Sequence, residues 1–388
     1  PFPTQVDTFN TRAFMVNTRT RRMGLETHTL PDDFLLNGVL AQQQKGPQRP
    51  NNFPFKVEYG YHFDSALLGS FLAGHAKQLG VILKQQHLQE VLKDHHGNIA
   101  ALKSTSGERI VGDFFIDCTG FASVLMQKTL GATFNSYKDN LFNDAAVVLP
   151  TSINEDIPVE TTSTALSAGW CWKIPLTNRF GTGSVYRRAF LSSAQAAFAF
   201  PRPLGVAASA ACRRLKMKVG ALSEHWTRNC LALGLSQGFI EPLEATALHL
   251  VQISIEMFIQ KFESGNFSNQ HRDTYNQLVK ERFDRVRDYI VAHYKLNTRT
   301  DSDYWRANRD NEHLSESLIA LLDVWFKQGD LSEEIERQNI SSHFDTVSWH
   351  CLLAGYGTFP ALHPNQPNRG DLYKEKNVAS FLQGCALN

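Results

Sequence analysis

Asp113–Cys118 (DFFIDC) is a short apolar run without polar alternation, and it leads straight into Thr119-Gly120. Runs of this kind form strands buried inside a sheet. A glycine at the strand end lets the backbone approach a ligand closely, since it has no Cβ. The same pattern also fits a plain strand-to-loop turn. Upstream, Asp64-Ser65 can cap a helix with the apolar stripe Leu67, Leu68, Phe71, Leu72, Ala76 and Leu79, ended by Gly80. Short strands are then expected at Val81–Lys84, Leu88–Lys93, Ile99–Ser104 and Arg109–Val111, separated by turns at Asp94–Gly97 and Ser106-Gly107.

Beyond the apolar run, Val147–Tyr186 alternates strand-like residues with Thr, Ser and Gly and predicts a second sheet. Ala194–Ala211 predicts helix near one or both ends, broken at Pro201 and Pro203. Helical spacing follows over Leu243–Phe262, Leu278–Tyr294 and Leu314–Phe326. Residues 1–55 show mixed polarity, and Gln42–Phe55, with three prolines, reads as a loop. The order of helix, β-meander, buried strand, second sheet and long helices predicts an α/β protein with an added sheet and a helical C-terminal portion.

Composition excludes several classes. Lys+Arg 39 against Asp+Glu 38 leaves a formal charge of +1, so no nucleic-acid partner is expected. No run of ~18 apolar residues is present, and the best candidate, Leu243–Phe262, is interrupted by Glu244, His249, Gln252, Glu256 and Gln260, so no membrane span is expected. The opening residues lack a charged stretch followed by an apolar one, so no secretory signal is expected. The six cysteines form no C-x-x-C pair and read as reduced thiols of a cytoplasmic protein. His95-His96 precedes Gly97-Asn98 and reads as a hairpin tip rather than a metal site. The charged stretch Lys280–Asp288 reads as an exposed helix face.

There is no G-x-G-x-x-G, P-loop, HExxH or GxSxG. Gly181-Thr-Gly183 lacks the third glycine and reads as a strand bend or turn. Two further segments carry chemistry. In AGWCWKIP (Ala168–Pro175), Trp170 and Trp172 point to one strand face, which suits core packing as well as a site. In NCLALGLSQGFIEPLEATALHL (Asn229–Leu250), a strand reaches Gly234 and Pro242 sits near a helix start. Such a helix end favours anions, and Glu241 and Glu244 sit against it, one of them a candidate cap.

Together with YGYHFD (Tyr59–Asp64) and RTDSDYW (Arg299–Trp305), the segments FIDCTGF, GWCWKIP and FIEPLE resemble the flavin-dependent halogenases of the tryptophan halogenase family, in the branch acting on indoles and other free aromatics. The resemblance runs from about Val57 to Phe359. It implies the FAD-binding α/β fold of aromatic hydroxylases, with a cofactor and halide core over 1–260, a second sheet at about 140–190, and a mostly helical substrate region over 261–388. It implies reduced FAD from a separate flavin reductase, with oxygen and chloride or bromide forming hypohalous acid that halogenates an aromatic ring beside a catalytic lysine. A homodimer is common in the family.

Residue by residue, the resemblance makes Glu244 the glutamate near that lysine, orienting the oxidant or accepting the ring proton. Thr246 and Ala247 match the halide site, where the family commonly has Ser-Thr-Gly against Ala245-Thr246-Ala247 here. Leu235, Leu248, Gly120 and Leu88 match cofactor-side positions. Phe2 and Phe344 match aromatic walls of the substrate pocket, and Trp170 and Trp172 the pair that holds hydroxylation in check. The family's phosphate loop and catalytic lysine lie N-terminal to the segment containing Phe2, so both are expected in residues preceding this sequence. Two other readings stay open: a flavin monooxygenase hydroxylating an aromatic, and a non-catalytic remnant that lacks the cofactor loop.

Overall fold

The computed structural model describes residues 3–153, 156–200, 212–365 and 376–387. In chain order the regular elements are α1 (Thr8–Arg22), α2 (Leu36–Gln42), α3 (Ser65–Gln78), β1 (Leu88–Lys93), β2 (Ile99–Ser104), β3 (Arg109–Val111), β4 (Phe115–Asp117), β5 (Phe134–Ser136) and β6 (Ala145–Val148). Then come β7 (Thr162–Leu166), β8 (Gly169–Pro175), β9 (Phe180–Tyr186), α4 (Ser193–Ala199), β10 (Arg213–Lys216), β11 (Gly220–Leu222), β12 (Trp226–Thr227), β13 (Cys230–Ala232) and β14 (Gly238–Phe239). The helices α5 (Ala247–Ser264), α6 (Arg272–Lys295), α7 (Asp303–Asp310), α8 (Glu316–Phe326), α9 (Leu331–Arg337), α10 (Thr346–Gly355) and α11 (Lys376–Leu387) follow. Contacts divide the chain into two compact units, one of residues 1–62, 149–183 and 291–388, the other of residues 63–148 and 184–290.

In the unit of residues 63–148 and 184–290, β1, β2 and β3 form the expected antiparallel meander. The expected strand forms as β4, buried on one face only, since Ile116 is 51% exposed; it pairs in parallel with β13, Phe115 opposite Cys230 and Asp117 opposite Ala232. Ile99, Phe115, Leu125, Met126, Leu222, Cys230 and Ala232 make the core beneath these strands. Trp226 is fully buried, its ring 5.0 Å from Phe258 and 5.9 Å from Tyr275. Asn276 completes the Trp226 backbone: its Oδ1 accepts from the N–H groups of His225 and Trp226, and its Nδ2 donates to the Trp226 carbonyl.

Three expectations change in this unit. Helix α3 forms, with Asp64 accepting from the Ala66 and Leu67 amides, but none of its residues is buried; Leu67 and Phe71 are 63% and 70% exposed. Val81–Lys84 forms no strand: the Val81 amide bonds back to the Ala76 carbonyl, and among the described residues no strand pairs with this run. The Lys280–Asp288 stretch is not simply a solvated face. Lys280 and Asp284 pair there, but Arg287 and Asp288 are largely buried, and Arg287 lies over the Tyr137 ring while bonding Asp284 and Asp288. The expected break at Pro201 and Pro203 lies outside the described residues.

In the unit of residues 1–62, 149–183 and 291–388, β7 and β8 form an antiparallel hairpin from Thr162 opposite Lys173 to Leu166 opposite Gly169. The region of residues 1–55 carries two helices that mixed polarity concealed, α1 and α2. Phe14, Phe34, Leu35, Cys351 and Ala354 form one core cluster there. Arg22 is buried, donating to the carbonyls of Val324, Trp325 and Gly329 around the end of α8. Ser302, Ser315 and Asp345 cap α7, α8 and α10.

Candidate active site

Three of the four expected cofactor-side residues, Gly120, Leu235 and Leu248, lie on segments that meet at the carboxyl ends of β4 and β13. The turn Gly120–Ala122 follows β4, and Gly234–Ser236 follows β13. These two turns contact each other, and the second also contacts α5. Phe121 and Phe239 meet edge to face at 5.6 Å. Gly120 and Gly234 adopt left-handed backbone, φ 68° and 63°, which glycine tolerates at no steric cost. A Cβ built on either would meet nothing within 4 Å, so the space above both turns is open. Leu235 and Leu248 flank it, 44% and 56% exposed. Exposed apolar side chains beside two open glycine turns suit a flat cofactor ring. Leu88 opens β1 and packs partly buried against the core beneath β4.

Asp117, at the end of β4, is fully buried, and its carboxylate accepts four hydrogen bonds, from Thr119 N and Oγ1 and from the Leu125 and Met126 amides. Its carbonyl accepts from the Leu233 amide and from Ser236 Oγ. The neighbouring Cys118 thiol is pushed up by desolvation and by the Asp117 charge, which keeps it a thiol near neutral pH.

After β14 the chain makes a tight turn. Glu241 is fully buried and its Oε2 accepts from Asn143 Nδ2 at 2.8 Å. Pro242–Glu244 forms one 3₁₀ turn, Ala245 is left-handed at φ 53°, and Thr246 is the N-cap residue of α5. Thr246 itself makes no side-chain cap bond to α5. Glu244 is half-buried and Ala247 exposed. Thr246 and Ala247 stand at the start of α5, the helix end whose N–H groups and dipole favour an anion.

Trp170 and Trp172 share one face of β8, with ring centroids 5.8 Å apart. Trp170 Nε1 donates to the Tyr294 hydroxyl at 2.8 Å. Gly183 is neither bend nor turn: it lies within β9, and the Trp172 indole lies against it. Phe344 is half-buried in the bend before α10, in the unit that also holds the two tryptophans. Phe2 lies outside the described residues. Asp117, Thr119, Asn143 and Gly183 escaped the sequence reading. A sequence signal existed for the first two alone: Asp and Thr two residues apart at a strand end form local side-chain-to-backbone caps. Among the described residues no group of His, Cys, Asp and Glu could hold a metal ion, and His95-His96 sits on an exposed hairpin turn. No described helix is long and apolar enough to cross a membrane.

Open glycine turns at the ends of adjacent parallel strands are where α/β folds take their cofactors. The sequence profile of the tryptophan halogenase family matches residues 5–369. A 7-chloro-L-tryptophan 6-halogenase of Kutzneria sp. (strain 744) is 35% identical over 329 residues, 84% of this chain and 62% of that protein. A tryptophan 6-halogenase of Streptomyces toxytricini is 36% identical over 313 residues, covering 77% and 60%. The crystal structure of that Streptomyces toxytricini enzyme superimposes with a TM-score of 0.80 at 30% identity, over 92% of this chain and 73% of the other. A flavin-dependent halogenase from Brevundimonas sp. BAL3 gives 0.81 at 28% identity, over 97% and 76%. The chain belongs to the tryptophan halogenase family. Its α/β fold is that of the flavin-dependent halogenases, as the sequence resemblance implied. The chain spans about three fifths of the length of the curated relatives it matches.

Proposed function

We propose that the protein is a flavin-dependent halogenase acting on a free aromatic of the indole class. The observation that carries this reading is the meeting of the Gly120 and Gly234 turns beside open space, with α5, which carries Leu248, in contact with the Gly234 turn. Reduced FAD, delivered by a separate reductase, would supply with oxygen the oxidising power that converts chloride or bromide to hypohalous acid. The residues of this chain do the rest. Gly120 and Gly234 let the backbone approach the flavin, and Leu235, Leu248 and Leu88 give it an apolar surround. Thr246 and Ala247, at the start of α5, hold the halide through backbone N–H groups.

Glu244 stands two residues before the halide position and carries a half-buried carboxylate. When an electrophilic halogen adds to a ring carbon, that carbon must lose its proton to restore aromaticity, and Glu244 is the base that takes it. The resemblance that matches Phe2 and Phe344 to the family's aromatic walls supports an aromatic substrate. Offset stacking on such walls favours a flat indole. Trp170 and Trp172 keep the chemistry on halogenation rather than hydroxylation; the buried Trp170–Tyr294 bond supports a fixed role for the pair. The test is product analysis with reduced FAD, oxygen, bromide and free indole or tryptophan. A halogenated ring that requires halide supports the reading, and a hydroxylated ring formed regardless of halide overturns it.

A further inference from the structure

We propose that Asp117 is a positioning residue that clasps both cofactor turns, so that its carboxylate sets flavin affinity without touching the flavin. The inference rests on the reading of Gly120 and Leu235 as flavin-side residues. The geometry is specific. Oδ1 accepts from Thr119 N at 2.9 Å and Thr119 Oγ1 at 2.6 Å, while Oδ2 accepts from the Leu125 and Met126 amides, both at 2.9 Å. Thr119 Oγ1 in turn accepts from the Val124 amide at 2.8 Å. The first N–H groups of the short helical turn Val124–Thr129 are thereby consumed within the protein. That helix end is closed to an anion, which leaves the open face above Gly120 as this segment's route to a cofactor.

The clasp also fixes strained backbone. Between Asp117 and the helical turn the chain passes through Gly120 at φ 68° and Ser123 at φ 40°. Left-handed backbone at a non-glycine residue persists only where the surroundings over-determine it. Four bonds to one carboxylate do so on the β4 side. On the β13 side, the Asp117 carbonyl accepts from Leu233 N at 3.0 Å and from Ser236 Oγ, and Ser123 Oγ donates to the Ser236 carbonyl at 3.3 Å. One residue therefore sets the relative position of the Gly120 and Leu235 turns.

Both carboxylate oxygens face donors only. Asparagine has the same shape but must turn its NH₂ toward either the Thr119 pair or the Leu125–Met126 pair, whichever way the amide flips. An isosteric change is therefore expected to open the clasp. The test compares wild type with Asp117→Asn, Thr119→Val and Thr119→Ser in the full chain, reading amide hydrogen exchange and FAD affinity separately. Asp117→Asn is expected to speed exchange at Val124–Met126 by about tenfold or more and weaken FAD by about tenfold, with β1–β2 protection retained. Thr119→Val acts in the same direction, and Thr119→Ser, which keeps the hydroxyl, stays within about twofold of wild type. Should Asp117→Asn fail to fold, the Thr119 pair decides. Unchanged exchange at Val124–Met126, or equal damage from Thr119→Ser and Thr119→Val, overturns the clasp. Faster exchange with unchanged FAD affinity overturns its link to the cofactor. A wild-type chain without FAD affinity overturns the functional reading and that link with it, while the exchange data still judge the clasp.

Discussion

The Trp172 indole lies directly against Gly183: a Cβ at residue 183 would fall 2.0 Å from the ring's Cζ2. No side chain fits there, so Gly183 sets where the second tryptophan of GWCWKIP sits. Gly183→Ala is expected to displace the indole and to cost ~1–3 kcal/mol by overpacking. Near-UV circular dichroism and thermal denaturation check this. An unchanged aromatic spectrum with unchanged stability would mean that the indole has room to move.

Glu244→Gln is expected to lower turnover by ~100-fold or more, because it removes the base for the ring proton. FAD affinity stays near wild type, since the open glycine turns are untouched. Steady-state rates beside a flavin titration separate the two. Equal loss of both would make Glu244 a structural residue of the turn.

Arg22 is only 3% exposed, with its guanidinium 4.6 Å over the Trp325 ring and bonded to three carbonyls. Arg22→Met removes three charge-assisted hydrogen bonds and the cation–ring contact and is expected to cost ~3–4 kcal/mol. Arg22→Lys recovers little of this, because an ammonium does not present a planar fork to three acceptors. Chemical denaturation of the three proteins measures it.

Two buried histidines make the fold sensitive to acid. Burial lowers His225 to about 3, and burial with the nearby Arg22 charge lowers His350 to about 4. The unfolded chain protonates both near pH 6.5, while the native protein does not. Their contribution is thus complete above about pH 6.5 and is lost as pH falls toward the native values, ~2 kcal/mol for each by about pH 5. His225 stacks on Phe283 at 5.3 Å, so His225→Phe preserves the ring contact. That variant is expected to lose less stability than wild type between about pH 7.5 and about pH 5, read from urea midpoints. Equal slopes would contradict it.

The sequence was informative where hydropathy and burial share a period. Helices α5, α6 and α8 and the meander β1–β3 announce themselves this way. Helix α1 does not, because polar residues share its buried face: Asn10, Thr11, Asn17, Thr18 and Arg22 are buried beside Phe14, while Phe9 and Val16 are 75% and 63% exposed. Val81–Leu83 misleads in the opposite sense, since strand composition forms no strand without a pairing partner. At the site, the resemblance put forward Gly120, Leu235 and Leu248, and no local pattern could show that Asn143 would meet Glu241 across 98 residues. Gly183 was misread because its reason to exist, the indole of Trp172, is set by tertiary packing.

Halogenation of a free aromatic ring is the proposed reaction of this chain's site. The most direct measurement is mass spectrometry of tryptophan or indole incubated with the protein, reduced FAD, oxygen and bromide. The expected result is a product with the paired isotopic peaks of bromine, absent without bromide and absent with Glu244→Gln. A product carrying oxygen alone, formed equally with and without bromide, would contradict the account.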